Sequence, residues 1–485
     1  MEYLISGYEP KSFFRHFEEI SAIPRSSGHE KAVSDFLIDF ARERGLEAVQ
    51  DSVWNVVIKK PGSSGCETLP AVMLQGHLDM VCEKNAATEH DFATQGISLT
   101  EEKGWLRAKG TTLGADNGVA VALMMALLED EELRHPPLEC VFTVQEETGL
   151  AGAINIDPAL ISARTMINLD SEDEGVATVS CAGGMRVTLA RECGWRDADP
   201  YGLSIRIRGL LGGHSGGDIR LERGNANKLM GRILAHLMEE NLSFRIASFN
   251  GGSKDNAIPR ECDCVITLKT REDYDEALAI IGEEAADIHG ELTAEPDFTV
   301  LTEPASPGRV MRRKVSEALT KLLFLAPNGI KNRNPSAGDF VVCSLNLGVV
   351  KTGEDLVELT FAPRSSVASL QKQTRRELSF LAGELGFSME VTSEYPGWSY
   401  TEQSPIRDIF RECYRKLTGK ELICEAIHAG LECGLFSEKL PGLDAIAVGP
   451  QVNHCHTPGE ELDLGSCQRC YQLISAVLTR CTETV

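Results

Sequence analysis

The chain has 485 residues, and 72 acidic against 48 basic residues give it a net charge of −24, which argues against nucleic-acid and anionic-membrane partners. It has no apolar run near the roughly 20 residues of a membrane span, and its first residues lack the features of a signal peptide. Fifteen scattered cysteines favour reduced thiols, so we expect a cytoplasmic protein, and the length predicts more than one domain.

The first third of the sequence alternates helices with strands. An amphipathic helix follows Ser27, which with Glu30 predicts a capping box, and Gly45 predicts its end. A fully apolar helix is predicted at "GVAVALMMALLEDEE". Four strands are predicted at "NVVIKK", "AVMLQGHLD", "LECVFTVQEE" and "TMINLDSED". This alternation predicts an α/β fold with a mixed sheet covered by helices on both faces, with functional groups where strands end.

From about Gly183 the pattern changes to half-exposed strands such as "GLSIRIRGLLGGHSG" and "CDCVITLKT", with helices between them. A second set follows from "FVVCSLNLGVVK" to "FSMEVTSEY". Two consecutive sets predict an inserted α+β domain of two similar halves. The earlier pattern then returns, so we predict a first domain made of residues 1–183 and 393–485 that is interrupted by an inserted domain, residues 184–392.

Polar residues collect at the ends of the predicted strands and in the loop before the apolar helix. These residues are His77, Asp79, Asp116, Glu146, Glu147, Asp170 and His456, the last directly after the strand "LDAIAV". Asp79 lies two positions after His77, on the same face of a strand, where a carboxylate can fix the imidazole tautomer. Two histidines with several carboxylates at one sheet edge form the ligand set of a divalent, zinc-like site.

A bridging carboxylate would let these residues bind two metal ions. Two ions about 3.5–4 Å apart can hold a water molecule and polarise a carbonyl together. Glu146 and Glu147 are adjacent on a predicted strand, so their side chains should point to opposite sides. One of them can therefore be a metal ligand while the other serves as a general base.

Seven motifs resemble those of the di-zinc metallopeptidase family that includes aminoacylases, glutamate carboxypeptidases and carnosinases. They are "GHLDMV", "GADNGV", "QEETGLAGA", "NLDSED", "GGHSGGD", "NAIP" and "HTPGEELDL". Four further stretches resemble the cytosolic aminoacyl-histidine (Xaa-His) dipeptidase branch: "EISAIPRSSGHE", "HLDMVCEKN", "TTLGADNGVAVA" and "HAGLECG". The resemblance implies that the first domain is catalytic and that the inserted domain is a lid.

The resemblance also assigns the metal ligands. It implies that His77 and Asp170 hold one ion, that Glu147 and His456 hold the other, and that Asp116 bridges both. The implied cofactor is two divalent ions per chain, with Zn²⁺ expected and Mn²⁺ or Co²⁺ left open because these ions share such ligands.

Two acidic residues receive catalytic roles from the resemblance. Asp79 would orient a metal-binding histidine, and Glu146 would be the base that takes a proton from the attacking water. A cis peptide bond is expected between Asp116 and Asn117.

The substrate-binding residues that the resemblance implies are His214, Asn256, Arg364, His428 and Gly430. An imidazole at His214 could donate to the oxyanion of a tetrahedral intermediate. The guanidinium of Arg364 could bind a peptide carboxylate through two parallel hydrogen bonds. Whether His214 acts within its own chain or across a homodimer is open, as is the choice between monomer and homodimer.

The implied function is metal-dependent hydrolysis of small dipeptides, with aminoacyl-histidine substrates such as carnosine favoured. An N-acyl amino acid or a tripeptide is the alternative substrate, because fold and ligands are shared across such activities. A non-catalytic binding protein would be expected to lack Glu146 or a metal ligand, and all of them are present.

Overall fold

The structure is a computed structural model that describes residues 3–483. The chain divides into two compact units. Unit 1 runs to Ser180 and resumes with Tyr400–Ala426 and from Glu432 onward, and unit 2 comprises Cys181–Ser399 and Ile427–Leu431. The predicted inserted segment, residues 184–392, falls within the longer segment of unit 2.

The α-helices fall in three groups along the chain. The first group is α1 (Lys11–Ser21), α2 (Lys31–Glu43), α3 (Ala115–Glu129) and α4 (Ala151–Asn155). The central group is α5 (Ala226–Glu239), α6 (Arg271–Glu291), α7 (Arg313–Leu325) and α8 (Ala368–Leu385). The last group is α9 (Pro405–Thr418), α10 (Glu432–Lys439) and α11 (Leu464–Cys481). No helix within residues 3–483 has the length and apolarity that crossing a membrane requires.

The strands follow the same division. The first group is β1 (Glu47–Gln50), β2 (Val56–Lys60), β3 (Val72–His77), β4 (Leu99–Glu102), β5 (Trp105–Ala108), β6 (Leu138–Thr143), β7 (Thr165–Asn168) and β8 (Val176–Cys181). The central group is β9 (Gly183–Glu192), β10 (Arg196–Asp197), β11 (Tyr201–Arg208), β12 (Gly213–His214), β13 (Phe244–Gly251), β14 (Ala257–Ile258), β15 (Cys262–Leu268), β16 (Thr299–Ala305), β17 (Arg309–Val310), β18 (Gly329–Asn334), β19 (Phe340–Thr352), β20 (Leu356–Ser365) and β21 (Ser388–Tyr395). The last group is β22 (Ile423–Ile427), β23 (Asp444–Ala447), β24 (Val452–Asn453) and β25 (Glu461–Asp463).

Unit 1 is built on an eight-stranded mixed sheet in the order β1-β2-β6-β3-β7-β23-β8-β22. The four central strands, β6, β3, β7 and β23, are parallel. Their carboxyl ends therefore lie at one edge of the sheet, where ligand sites form in α/β folds.

Helices cover both faces of this sheet, as the sequence predicts. A Cβ atom on Gly76 of β3 would lie 2.5 Å from the Cβ atom of Ala120, so the missing side chain lets α3 pack closely on one face. The adjacent Gln75 points to the opposite face, where its amide donates to Glu432 of α10. Almost every side chain of α3 is buried, which explains its unbroken apolar sequence.

The predicted capping box at the start of α2 is wrong. The helix begins at Lys31, and its N-cap residue Glu30 makes no side-chain capping bond. Ser27 donates instead to Asp79 (Oγ to Oδ2, 2.7 Å), and Glu30 accepts from the backbone N–H of Gln145 at 2.9 Å. Both side chains are therefore used by the loops at the strand ends. The predicted helix end is confirmed, because Gly45 has a left-handed φ of 65°.

Unit 2 contains a nine-stranded sheet in the order β16-β11-β15-β13-β19-β20-β9-β21, with β18 paired beside β19. Its first half is β11-α5-β13-β15-α6-β16 and its second half is β9-α7-β19-β20-α8-β21. Each half is a βαββαβ unit with the same strand order, and the halves meet where β13 pairs with β19. The halves are nested rather than consecutive as predicted, because β9, which the sequence analysis missed, precedes the whole first half.

Candidate functional site

The predicted metal ligands lie together at the carboxyl edge of the unit 1 sheet. Nε2 of His77 lies 3.0 Å from Oδ1 of Asp116 and 3.6 Å from Oδ1 of Asp170. Nε2 of His456 lies 3.0 Å from the other oxygen of Asp116 and 2.9 Å from Oε1 of Glu147. The ligand atoms of each three-residue group lie within 4.8 Å of one another. The two groups share Asp116, and each Asp116 oxygen faces a different histidine.

Asp79 contacts the ring nitrogen of His77 that faces away from the other predicted ligands. Nδ1 of His77 lies 3.2 Å from Oδ1 of Asp79, and both residues are buried. The same carboxylate accepts from Ser27 and from the backbone N–H of Glu146 at 3.0 Å. A hydrogen bond at Nδ1 leaves Nε2 of His77 facing the carboxylates as a ligand atom.

Carboxylates outnumber cationic groups in this site. Burial raises the pKa of Asp170 to about 6 and the pKa of Glu146 to about 9, and neighbouring carboxylates reinforce both shifts. Hydrogen bonds to Asp116 and Glu147 raise the pKa of His456 to about 11. Without a metal ion, the site therefore retains protons that divalent cations would displace. Imidazole and carboxylate donors together fit zinc and related divalent ions.

The prediction that Glu146 and Glu147 point to opposite sides of a strand is wrong. Strand β6 ends before them, and both residues lie in a turn whose N–H groups donate to Asp79 at 3.0 and 3.2 Å. The ligand atoms of His77, Glu146 and Glu147 also lie within 4.8 Å of one another. The role of Glu147 as a ligand therefore rests on its contact with His456 rather than on strand alternation.

The expected cis peptide bond is present between Asp116 and Asn117. Oδ1 of Asn117 accepts from the backbone N–H of His77 at 3.3 Å, and its Nδ2 donates to the carbonyl of Leu169 at 3.0 Å. Asn117 thus links the ends of β3 and β7 beside the shared carboxylate.

The segment "GPQVNHCHTPGE", which carries His456, follows β23 as predicted, and within it β24 precedes His456 and pairs with β25. His456 itself has a left-handed φ of 63°. Its position is therefore set by an irregular loop rather than by the end of a parallel strand.

Glu460 holds the loop that carries Asp116, and the sequence analysis assigned it no role. Its buried carboxylate accepts from the backbone N–H groups of Leu113 (2.7 Å), Gly114 (2.9 Å) and Asp116 (3.2 Å). The signal that could have found it is its place in the motif "HTPGEELDL".

Arg25 was also missed, although it lies in "EISAIPRSSGHE". It is buried and donates to the carbonyl oxygens of Leu78 (2.9 Å), Asp79 (3.0 Å) and Gly114. Cβ atoms on Gly114 and Gly118 would lie 2.6 and 2.7 Å from its Nη2 atom. These glycines therefore make room for the guanidinium, which ties the end of β3 to the start of α3.

All five predicted substrate-binding residues belong to unit 2. His214 lies on β12, and the next residue donates its backbone N–H to the carbonyl of Asn256 at 2.8 Å. Nδ1 of His214 accepts from the N–H groups of Gly216 (3.3 Å) and Gly217 (3.1 Å). Burial and the charge of Arg364 lower the pKa of His214. His214 is therefore a neutral imidazole whose Nε2–H is available as a donor.

Arg364 and His428 lie near each other in the same unit. Nε2 of His428 lies 2.7 Å from Oγ of Ser344, the residue paired with Arg364 between β19 and β20. Burial and the charge of Arg364 lower the pKa of His428 to about 4, so it is neutral. Gly430 lies against the ring of Tyr395, from which an added Cβ atom would be 3.0 Å away. The positive charge of Arg364 thus acts on two histidines that are neutral.

Residues 73–480 match the model of the peptidase family M20/M25/M40. The chain belongs to this family. It is 36% identical over 479 residues to the cytosol non-specific dipeptidase of Escherichia coli, covering 98% of both chains. The crystal structure of aminoacylhistidine dipeptidase from Vibrio alginolyticus matches with a TM-score of 0.93 at 34% identity, covering 98% of this chain and 97% of that one. The aminopeptidase PepT of Bacillus cereus, at 15% identity and a TM-score of 0.57, shares the fold alone.

The predicted family and fold class are therefore confirmed for this M20/M25/M40 peptidase. The individual roles of its metal-binding, catalytic and substrate-binding residues stay predictions.

Proposed function

We propose that the chain is a metal-dependent dipeptidase whose substrates include aminoacyl-histidine dipeptides such as carnosine. The observation that carries this proposal is Asp116, whose two carboxylate oxygens each lie 3.0 Å from a different histidine. A carboxylate placed in this way can serve two cations at once. Support also comes from the cytosol non-specific dipeptidase of Escherichia coli and the aminoacylhistidine dipeptidase of Vibrio alginolyticus, both of which match over nearly the whole chain.

The proposed cofactor is two divalent ions per chain, Zn²⁺ first and Mn²⁺ or Co²⁺ as alternatives. His77, Asp116 and Asp170 would hold one ion, and Asp116, Glu147 and His456 the other. When bound, such ions polarise a carbonyl group and lower the pKa of water.

Glu146 is the proposed general base and acid. It takes a proton from the attacking water and delivers the proton to the leaving amine nitrogen. Asp79 supports this role because it binds the backbone N–H of Glu146 while it holds the imidazole of His77. One buried carboxylate thereby positions a metal ligand and the proton carrier together.

Unit 2 is proposed to supply the groups that bind the substrate. The Nε2–H group of His214 would donate to the carbonyl oxygen as it gains negative charge. Arg364 would bind the C-terminal carboxylate of the dipeptide, and Asn256 and His428 would contact its polar backbone.

A cytoplasmic location is also proposed. All fifteen cysteines lie within the described chain and none forms a disulfide there, as expected for a reducing compartment. The oligomeric state, monomer or homodimer, is measurable by light scattering on the purified protein.

The function is tested with one purified sample assayed against carnosine, alanylhistidine, a tripeptide and an N-acetyl amino acid, with metal analysis of the same sample. We expect dipeptide hydrolysis that a chelator abolishes and added Zn²⁺ restores. Preferential hydrolysis of the tripeptide or the acetylated amino acid would replace the proposed substrate class. A protein that holds two metals and hydrolyses none of these compounds would be a binding protein.

A further inference from the structure

Tyr395, the last residue of β21, contacts Arg364 across an intervening strand. The Nη1 atom of Arg364 donates to the Tyr395 hydroxyl at 3.3 Å. Gly184 of β9 is the register partner of both residues, since β9 lies between β20 and β21. Residues paired in this way project from the same face of a sheet. The Tyr395 side chain therefore passes over Gly184 to reach Arg364.

Two glycines provide the space in which this ring lies. A Cβ atom on Gly184 would lie 2.7 Å from the hydroxyl oxygen of Tyr395, and one on Gly430 would lie 3.0 Å from the ring. Such distances are shorter than van der Waals contact, so a side chain at Gly184 would move the ring. Because both glycines lack a side chain, the Tyr395 ring can lie where its hydroxyl reaches Arg364.

Arg364 and Tyr395 line a small cavity of about 90 Å³ together with Asn256 and Arg186. Arg186 donates to Asp255 at 2.6 Å. Nε of Arg364, in contrast, is buried and has no hydrogen-bond partner among residues 3–483. A half-buried guanidinium whose Nε–H donor is buried and unpaired favours an anionic group that can accept from it.

We propose that Tyr395 is a positioning residue that holds the Arg364 guanidinium in the orientation that receives the C-terminal carboxylate of the substrate. The inference rests on the proposed dipeptidase function and deepens it by naming the residue that sets carboxylate recognition. Without the hydroxyl, the long Arg364 side chain samples more rotamers, and binding must then immobilise it.

The test compares alanylhistidine with its C-terminal amide on the metal-loaded protein. Tyr395→Phe keeps the ring but removes the hydroxyl. We expect the KM for alanylhistidine to rise about 3- to 10-fold, the effect of one hydrogen bond, with kcat nearly unchanged. The KM for the amide should not change, since the amide has no carboxylate. Tyr201→Phe, the same change elsewhere in unit 2, is the matched control and should leave both substrates unaffected.

Gly184→Ala tests the same contact from the other side. The added methyl group displaces the ring, so this variant should also raise the KM for alanylhistidine and spare the amide. In a Tyr395→Ala background the ring is absent, and Gly184→Ala should add little further loss. Metal content and thermal unfolding identify any variant that fails to fold, and Tyr395→Phe, the mildest change, then decides the result.

Four results would overturn the inference. An equal KM increase for acid and amide in Tyr395→Phe would show that the hydroxyl does not act through the carboxylate, and so would an unchanged KM for both. If the native protein hydrolysed the acid and the amide equally well, it would not recognise the carboxylate. That result would overturn this inference but not the proposed dipeptidase function. A native protein that hydrolyses no dipeptide would overturn the proposed function, and this inference with it.

Discussion

The histidines of the two units lie in surroundings of opposite charge, so the two units favour bound groups of opposite sign. In unit 1, carboxylates hold the pKa of His456 above its usual value, at about 11. In unit 2, burial and Arg364 lower the pKa of His214 and bring the pKa of His428 to about 4. Surroundings that favour a charged imidazole also favour a cation, and the positive charge of Arg364, which contributes to the lowered pKa of both histidines, favours an anion. Unit 1 is therefore suited to metal ions and unit 2 to the negative groups of a substrate.

This difference predicts two separable kinds of failure. Changes in the ligand set of unit 1 should remove metal, whereas changes in unit 2 should leave metal content intact and reduce turnover or substrate affinity. Glu146 is the exception in unit 1, because its proposed role is proton transfer.

The largest effect is expected for Asp116→Ala. Because both three-residue groups share this carboxylate, we expect the metal content to fall from about two ions per chain towards none, with loss of activity. Metal analysis after dialysis measures this directly. Asp39→Ala removes an exposed carboxylate of unit 1 and serves as control. A variant that kept two tightly bound ions would exclude a shared ligand.

Glu146→Gln should separate chemistry from metal binding. We expect metal to be retained while kcat falls by at least the roughly 10²–10⁴-fold typical of losing a general acid–base. KM should change much less, because the interaction is made mainly in the transition state.

Glu147→Gln is the matched partner of that variant, with the same chemical change one residue away. It should weaken metal binding first. If Glu146→Gln lost metal and Glu147→Gln kept it, Glu146 would be the metal ligand and Glu147 the base. Both residues lie in one turn, so either of them could serve as the ligand.

His214→Ala should be the clearest failure in unit 2. We expect full metal content and a kcat decrease of about 10²–10³-fold, as found for the loss of one oxyanion donor. His289→Ala removes another unit 2 histidine, on α6, and should leave kcat unchanged. A His214→Ala protein that lost metal would contradict the assignment of metal binding to unit 1.

A mixture of His214→Ala chains and Glu146→Gln chains tests whether His214 acts within its own chain. We expect no recovery of activity, because the inserted domain of each chain should supply His214 to the site of that same chain. A dimer of the two variants would then contain no complete site. Marked recovery in the mixture would instead show action across a dimer.

Asp79→Asn should have the smallest effect of the set. It keeps the shape of the side chain but weakens the acceptor that orients His77 and binds the turn at Glu146. We expect metal affinity or turnover to fall by about 10- to 100-fold, as is typical of residues that support a ligand. Titration of the metal-free protein with Zn²⁺, with activity followed in parallel, measures both. Unchanged affinity and turnover would leave Asp79 a folding role only.

The regular part of the fold was predictable because its signals are local. Continuous apolar runs mark β3, β6, β7 and α3, and the polar residues that follow these strands mark the candidate metal site. Signals of this kind do not report the order in which strands join a sheet, so the prediction of two consecutive halves in unit 2 is wrong, because β9 makes the halves nested. The predictions of a capping box and of glutamates on opposite sides of a strand are wrong because both assumed regular structure where the loops of the site begin.

The family and the candidate metal ligands could be predicted from short motifs, and the fold class could be predicted from the alternation of helices and strands. The groups that support those ligands became visible in the folded chain. Glu460 binds the N–H of a residue 344 positions away, and Tyr395 reaches Arg364 because a glycine lies between them. Such contacts depend on the three-dimensional path of the backbone, so a local motif can draw attention to a residue such as Glu460 but cannot specify its partner.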